Sequence, residues 1–217
     1  MSDSEHDGDP SAILRAIDDE QRQAQRALSP NPVLLYTTWG VAWIVGFLAF
    51  YATFVPAERP VLPFAAGAAI GAAVLVGAIV LSAVHSARRG AGSRGPSMVQ
   101  GAIYGNAFGV AFTLMGLLGW RLMSAGVSVE TMLSYWLAAS CLVVGILIVV
   151  GAAMWNDRSQ LIFGCWTLAV GFVSLAVAPP HNLLVGVVGG VGFLVLAVLE
   201  VVRPRLTSGQ IARATDG

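Results

Sequence analysis

The chain has no lysine, only two cysteines and three histidines, and few charges of either sign for its 217 residues. Each shortage excludes something. A soluble domain carries about a quarter of its residues charged, whereas here the share is 11%. Two cysteines without a CxxC spacing leave no disulfide framework and no redox motif. No histidine pair stands at i,i+4, no clustered carboxylate set suits a metal, and no glycine loop has phosphate-binding spacing. The expectation is therefore no catalytic residue, no metal and no cofactor.

What the sequence has in quantity is long apolar runs. Six stand out, over 33–54, 62–84, 99–122, 129–155, 160–178 and 182–202. Each reaches the roughly 20 residues that a helix needs to cross a ~30 Å hydrocarbon core. A bacterial β-barrel is excluded, because its strands alternate in and out over ~10 residues. The fold class expected is all-α, a polytopic membrane helical bundle with six transmembrane helices.

The missing lysine makes arginine the whole positive charge. Arg15, Arg22 and Arg26 precede the first run; Arg88, Arg89 and Arg94 lie between the second and third. Arg158 lies between the fourth and fifth, and Arg203, Arg205 and Arg213 follow the sixth. With six spans these ten share one side, leaving Arg59 and Arg121 on the other. By the positive-inside rule that side is the cytoplasm, with both termini in it and the chain in the cell membrane. Five or seven spans would destroy the separation. The domains read as 1–32, a cytoplasmic tail and amphipathic helix; 33–202, the transmembrane bundle; and 203–217, a cytoplasmic tail.

Residues 1–10 are acidic and lack the basic start of a cleavable signal. From Asp9-Pro10, an N-cap and first helical position, the pattern turns amphipathic. Ile13, Ile17, Ala24 and Leu28 fall within about 60° at 100° per residue. Arg15, Asp18, Asp19, Arg22 and Arg26 take the opposite side, and Asp18 pairs with Arg22 at i,i+4. Ser29-Pro30-Asn31-Pro32 ends the helix. Such a helix lies on the inner leaflet or docks a partner.

Within the third span Gly101, Gly105, Gly109, Gly116 and Gly119 share a face about 80° wide, with Phe112 among them. A smooth strip of this kind lets another helix approach closely. It predicts a central third helix packed on the second (Gly67, Gly71) or the sixth (Gly186, Gly190), with homodimerisation as a further use. Gly105→Leu should then lower thermal stability. Asn106 and Thr113, seven residues apart beside the strip, are the candidate buried polar pair, bonding between helices or facing a substrate.

Glu130, Asp157 and Glu200 stand at the ends of their runs, so no charge falls mid-span. Trp39, Trp120, Trp155, Tyr36 and Tyr51 read as interfacial anchors; Trp43, Trp136 and Trp166 are deeper and read as packing residues. Cys141 and Cys165 differ in depth by about 10 Å at 1.5 Å per residue, too far for a disulfide, and read as buried small hydrophobes. Gly126-Val127-Ser128-Val129 and His181 crudely suggest an intramembrane serine protease. Val129 replaces the glycine such enzymes carry, and nothing local brings Ser128 and His181 together.

Asp18-Asp19-Glu20-Gln21-Arg22, Ser29-Pro30-Asn31-Pro32-Val33-Leu34-Leu35-Tyr36 and Trp39-Gly40-Val41-Ala42-Trp43 together resemble the start of small uncharacterised membrane proteins of high-GC actinobacteria, some of them labelled transporters. The all-arginine, Ala/Val/Gly-rich composition agrees. The likeness covers about the first fifty residues and the general layout; it implies family and topology and carries no site residue.

Two functional classes follow. One is a permease-like transport component working with a separate ATPase; six helices and an amphipathic entry helix are similar to some ABC exporter permeases. The other is an accessory or signalling protein that binds a regulatory partner through its N-terminal helix, favoured by the scarcity of polar groups in the core. The basic loop around Arg88, Arg89 and Arg94 suits anionic headgroups; nucleic acid is not an expected partner.

Overall fold

Asn31 and Pro32 begin the first membrane helix as capping chemistry dictates. The Asn31 side chain accepts from the Val33 and Leu34 amides at 3.0 and 3.4 Å, and Pro32 gives up an amide that the first turn would leave unpaired. The computed structural model describes Ser11, Ile13, Leu14, Ala16, residues 31–90 and residues 96–215, with side chains at those first four residues and over 31–89 and 98–202. Six long helices follow: α1 (Pro32–Tyr51), α2 (Phe64–Gly90), α3 (Pro96–Ser124), α4 (Val129–Trp155), α5 (Arg158–Ala176) and α6 (Asn182–Thr215). There is no strand among the described residues. All six helices are long and apolar enough to span a membrane. In α6 the backbone helix continues past the apolar stretch, through the segment expected to be a tail, to Thr215.

The connections explain much of the packing. Asn156 adopts the left-handed conformation at φ 51° and ψ 44°, and Asp157 immediately caps α5, accepting from Ser159 and Gln160. Two residues between helices leave α4 and α5 no choice but to lie antiparallel. Between α3 and α4 the turn uses Gly126 at φ +84°, where a side chain would be strained. Ser128 then caps α4.

Four helices make the core. α1 packs on α6, α4 on α5, α5 on α6 and, more lightly, α4 on α6, while α2 flanks α1 and α3 flanks α4. Glycines set two close crossings. A Cβ on Gly40 would meet the Gly190 carbonyl oxygen at 2.9 Å, and one on Gly190 would meet that of Gly40 at 2.8 Å. Gly145 and Gly164 face each other in the same way across α4 and α5, at 3.2 and 3.1 Å. Such contacts let backbones approach where lipid tails provide no hydrophobic drive to associate. Between the crossings Tyr36, Phe163, Phe193 and Trp43 stack in a continuous column, with ring centroids 4.9, 4.4 and 4.8 Å apart. Trp43 and Trp166 join this cluster to a second one of Leu137, Cys141 and Val170.

The central position expected for the third helix is not found. α3 lies at the edge against α4, and a Cβ at Gly101, Gly105, Gly109 or Gly116 would meet nothing within 4 Å. Only Gly119 is packed, beneath Trp136 and Tyr135. The glycines expected to receive α3 are in close contact with α1 or the turn after it instead: Gly67 with Ala49 and Thr53, Gly71 with Phe50, Gly186 with Phe47. Tyr36, expected as an anchor, is buried against Phe163. Cys165 is exposed on the helix surface while Cys141 is fully buried, and both are free thiols.

Candidate functional site, a buried polar line

Among the described residues the buried polar side chains are Thr53, Thr167, Ser174 and Asn182, two of them on α5. At the arginine-bearing end, the Ser159 hydroxyl hydrogen-bonds the Glu200 carboxylate of α6. The Gln160 amide donates to the Tyr104 hydroxyl of α3 at 3.3 Å. This cluster joins α3, α5 and α6 at one end of the bundle.

Deeper on the same face of α5 come Thr167 and then Ser174. Gln160, Thr167 and Ser174 are each seven residues apart, so they share a face and rise about 10 Å per step. Thr167 and Ser174 are fully buried, as is Asn182 at the start of α6. The hydroxyls donate to carbonyls of their own helix, Thr167 to Phe163 at 2.9 Å and Ser174 to Gly171 at 2.7 Å.

Beyond Ser174 the line reaches the opposite end. The Asn182 amide nitrogen donates to Ser134 of α4 at 3.3 Å, while its oxygen has no partner among the described residues. His181 packs its ring on Tyr51, 5.9 Å between centroids. The polar groups thus run from Asp157 and Glu200 to Asn182 through the junction of α4, α5 and α6. Phe163, Phe193 and Val170 fill the intervals between them.

The residues singled out from sequence lie elsewhere. Asn106 and Thr113 are exposed on α3, donating to Ala102 and Gly109 of their own helix at 2.9 and 2.8 Å; they are not a buried pair. Ile13 is exposed, as is its neighbour Leu14, while Ile17, Ala24 and Leu28 lie outside the described residues. Ser128 is occupied as a helix cap with Thr131, and His181 is against Tyr51. No group of three His, Cys, Asp or Glu suited to a metal occurs among the described residues. Thr167 and Ser174 were legible only as a spacing, since Gln160-Thr167-Ser174 repeats every seven residues, as Ser134-Cys141 does on α4; Asn182 had no such signal.

Comparison with protein-family models, with curated proteins and with solved structures finds no match.

Proposed function

We propose that this integral membrane protein is a transport-related, permease-like component with no catalytic chemistry of its own. The observation that supports this reading is the line of polar groups that runs from the half-buried Glu200 and Ser159 to the fully buried Thr167, Ser174 and Asn182. Polar groups are costly at membrane depth and characteristically line substrate or ion pathways. Phe163, Phe193 and Val170 pack among the polar groups, so passage requires the core helices to move. Energy comes from a separate ATPase or from a gradient. The chain sits in the cell membrane with both termini in the cytoplasm, as the arginine distribution implies.

Flux into proteoliposomes tests the reading, with a pH-sensitive dye for protons and osmotic swelling for small neutral solutes. Protein-dependent flux that falls in a Thr167→Val, Ser174→Ala double variant is expected. Flux equal to that of empty vesicles for both probes counts against it, as does equal flux in the variant. Copurification in mild detergent then asks whether an ATPase accompanies the protein in stoichiometric amount. Orientation is read by an impermeant thiol reagent on intact cells: Glu58→Cys should label, Gly92→Cys and Ser208→Cys should not.

A second reading has its own observation. Ile13 and Leu14 are exposed on the N-terminal helical residues, at 54% and 64%, and a regulatory partner could cover them. A silent flux assay together with a stoichiometric regulator that is lost on Ile13→Asp would favour an accessory or signalling protein.

A further inference from the structure

Asparagine stands at the start of two membrane helices, and only one of the two acts as a cap. Asn31 spends its side-chain oxygen on the first amides of α1. Asn182 opens α6 and does not: its Oδ1 accepts from no described group, although the residue is fully buried. The first-turn amides of α6 are served by backbone instead, Leu183 donating to the Pro180 carbonyl at 3.1 Å and Leu184 to that of His181 at 3.0 Å. Nδ2 donates to Ser134 at 3.3 Å, which holds the amide against α4 and leaves its oxygen over.

A buried acceptor without a donor carries the whole desolvation cost of the group. The chain has no further segment to offer at this end. The connections there, 52–63, 125–128 and 177–181, are all described, and the remaining segments adjoin the arginine-bearing end. Charge limits what the donor is. Glu58 and Glu130, the described carboxylates at this end, are both exposed, so no buried acid compensates a cation beside Asn182. Access runs along α4: Glu130 and Thr131 are exposed in its first turn, and Ser134, one turn deeper, is half-buried.

We propose that Asn182 Oδ1 and Ser134 Oγ form a binding position for a small uncharged hydrogen-bond donor, water or an amide or hydroxyl solute of comparable size. As a substrate position it rests on the reading of the polar line as a route; as a binding position it stands without it.

The test is magic-angle-spinning NMR of the full chain in bilayers with isotope-labelled asparagine, the Asn182 side-chain signal being the one lost in Asn182→Leu. Magnetisation from water should reach the Asn182 side-chain carbonyl as it reaches that of the exposed Asn31, although Asn182 has no exposed surface. Urea, which donates, should shift the signal to saturation; dimethyl sulfoxide, which accepts but cannot donate, should not. Ser134→Ala should weaken both responses, because the bound donor loses its second contact. Transfer from water without a urea shift names water as the ligand, and a saturating shift names the solute. Neither response in the parent, an equal response to dimethyl sulfoxide, or responses undiminished in Ser134→Ala would overturn the proposal. No flux is read, so the two readings fail separately. Occupancy in a protein that transports nothing keeps the site and removes the transport reading; flux through a protein whose Asn182 meets neither water nor urea does the reverse.

Discussion

Gly190 in α6 and Gly105 in α3 both lie inside apolar membrane-spanning helices, and their surroundings have almost nothing in common. A Cβ on Gly190 would meet the Gly40 backbone at 2.8 Å and Ile44 at 2.9 Å; one on Gly105 would meet nothing within 4 Å. The same contrast runs through the molecule. In the core formed by α1, α4, α5 and α6, glycines mark close helix crossings and aromatic rings fill the space between them. In the flanking helices α2 and α3, one stripe rests on a neighbour and the rest is turned outward. A small residue in a membrane helix thus permits close packing without requiring it. What decides is the neighbour, and that is set by connection length and by the fit of the opposite helix.

The largest expected effect lies in the aromatic column. Phe193 is 1% exposed between Trp43 and Phe163, so Phe193→Ala should cost about 3–5 kcal/mol, read as a fall in melting temperature in detergent. Trp120→Ala, on the outer face of α3, should leave melting nearly unchanged; comparable losses would erase the distinction between core and flank. Gly119→Leu sharpens it at an intermediate level. This is the one packed glycine of the α3 strip, and its neighbours are the Trp136 and Tyr135 rings rather than backbone. Since rings can shift, a loss of about 1–2 kcal/mol is expected; a loss as large as that of Phe193→Ala would make α3 part of the core. The smallest effect is Thr167→Val. Its hydroxyl donates to a carbonyl of its own helix, and the valine keeps the shape, so stability should change by less than about 1 kcal/mol. Flux should fall all the same, which separates a pathway residue from a packing residue.

Much of the architecture was legible before any coordinates. The six spans were fixed by runs too long and too continuously apolar for any other use, and the helices begin within a few residues of those runs, while α6 runs on past its run to Thr215. Trp43, Trp136 and Trp166 pack as their depth implied, and the depth difference between Cys141 and Cys165 correctly excluded a bridge. Arrangement was less legible, for a physical reason. The glycine strip of α3 is the longest in the chain, while Gly40, Gly145 and Gly164, three of the glycines that make the core crossings, belong to no such strip, and Gly190 belongs to the shorter group Gly186, Gly189, Gly190 and Gly192. A backbone crossing needs one small residue on each helix at one level, not a long row on either. The polar site shows the same ambiguity. Asn106 and Thr113 on α3 are seven residues apart, and so are Thr167 and Ser174 on α5. Spacing alone cannot tell an inward face from an outward one; the two-residue turn at Asn156-Asp157, which binds α5 to α4, can.

The most direct measurement is thermal unfolding of Gly190→Leu and Gly105→Leu side by side in one detergent. The core-and-flank arrangement predicts that Gly190→Leu loses about 3 kcal/mol or more, or fails to fold, while Gly105→Leu melts with the parent. Equal losses, or a larger one at Gly105, would contradict it and return α3 to the centre of a packed interface.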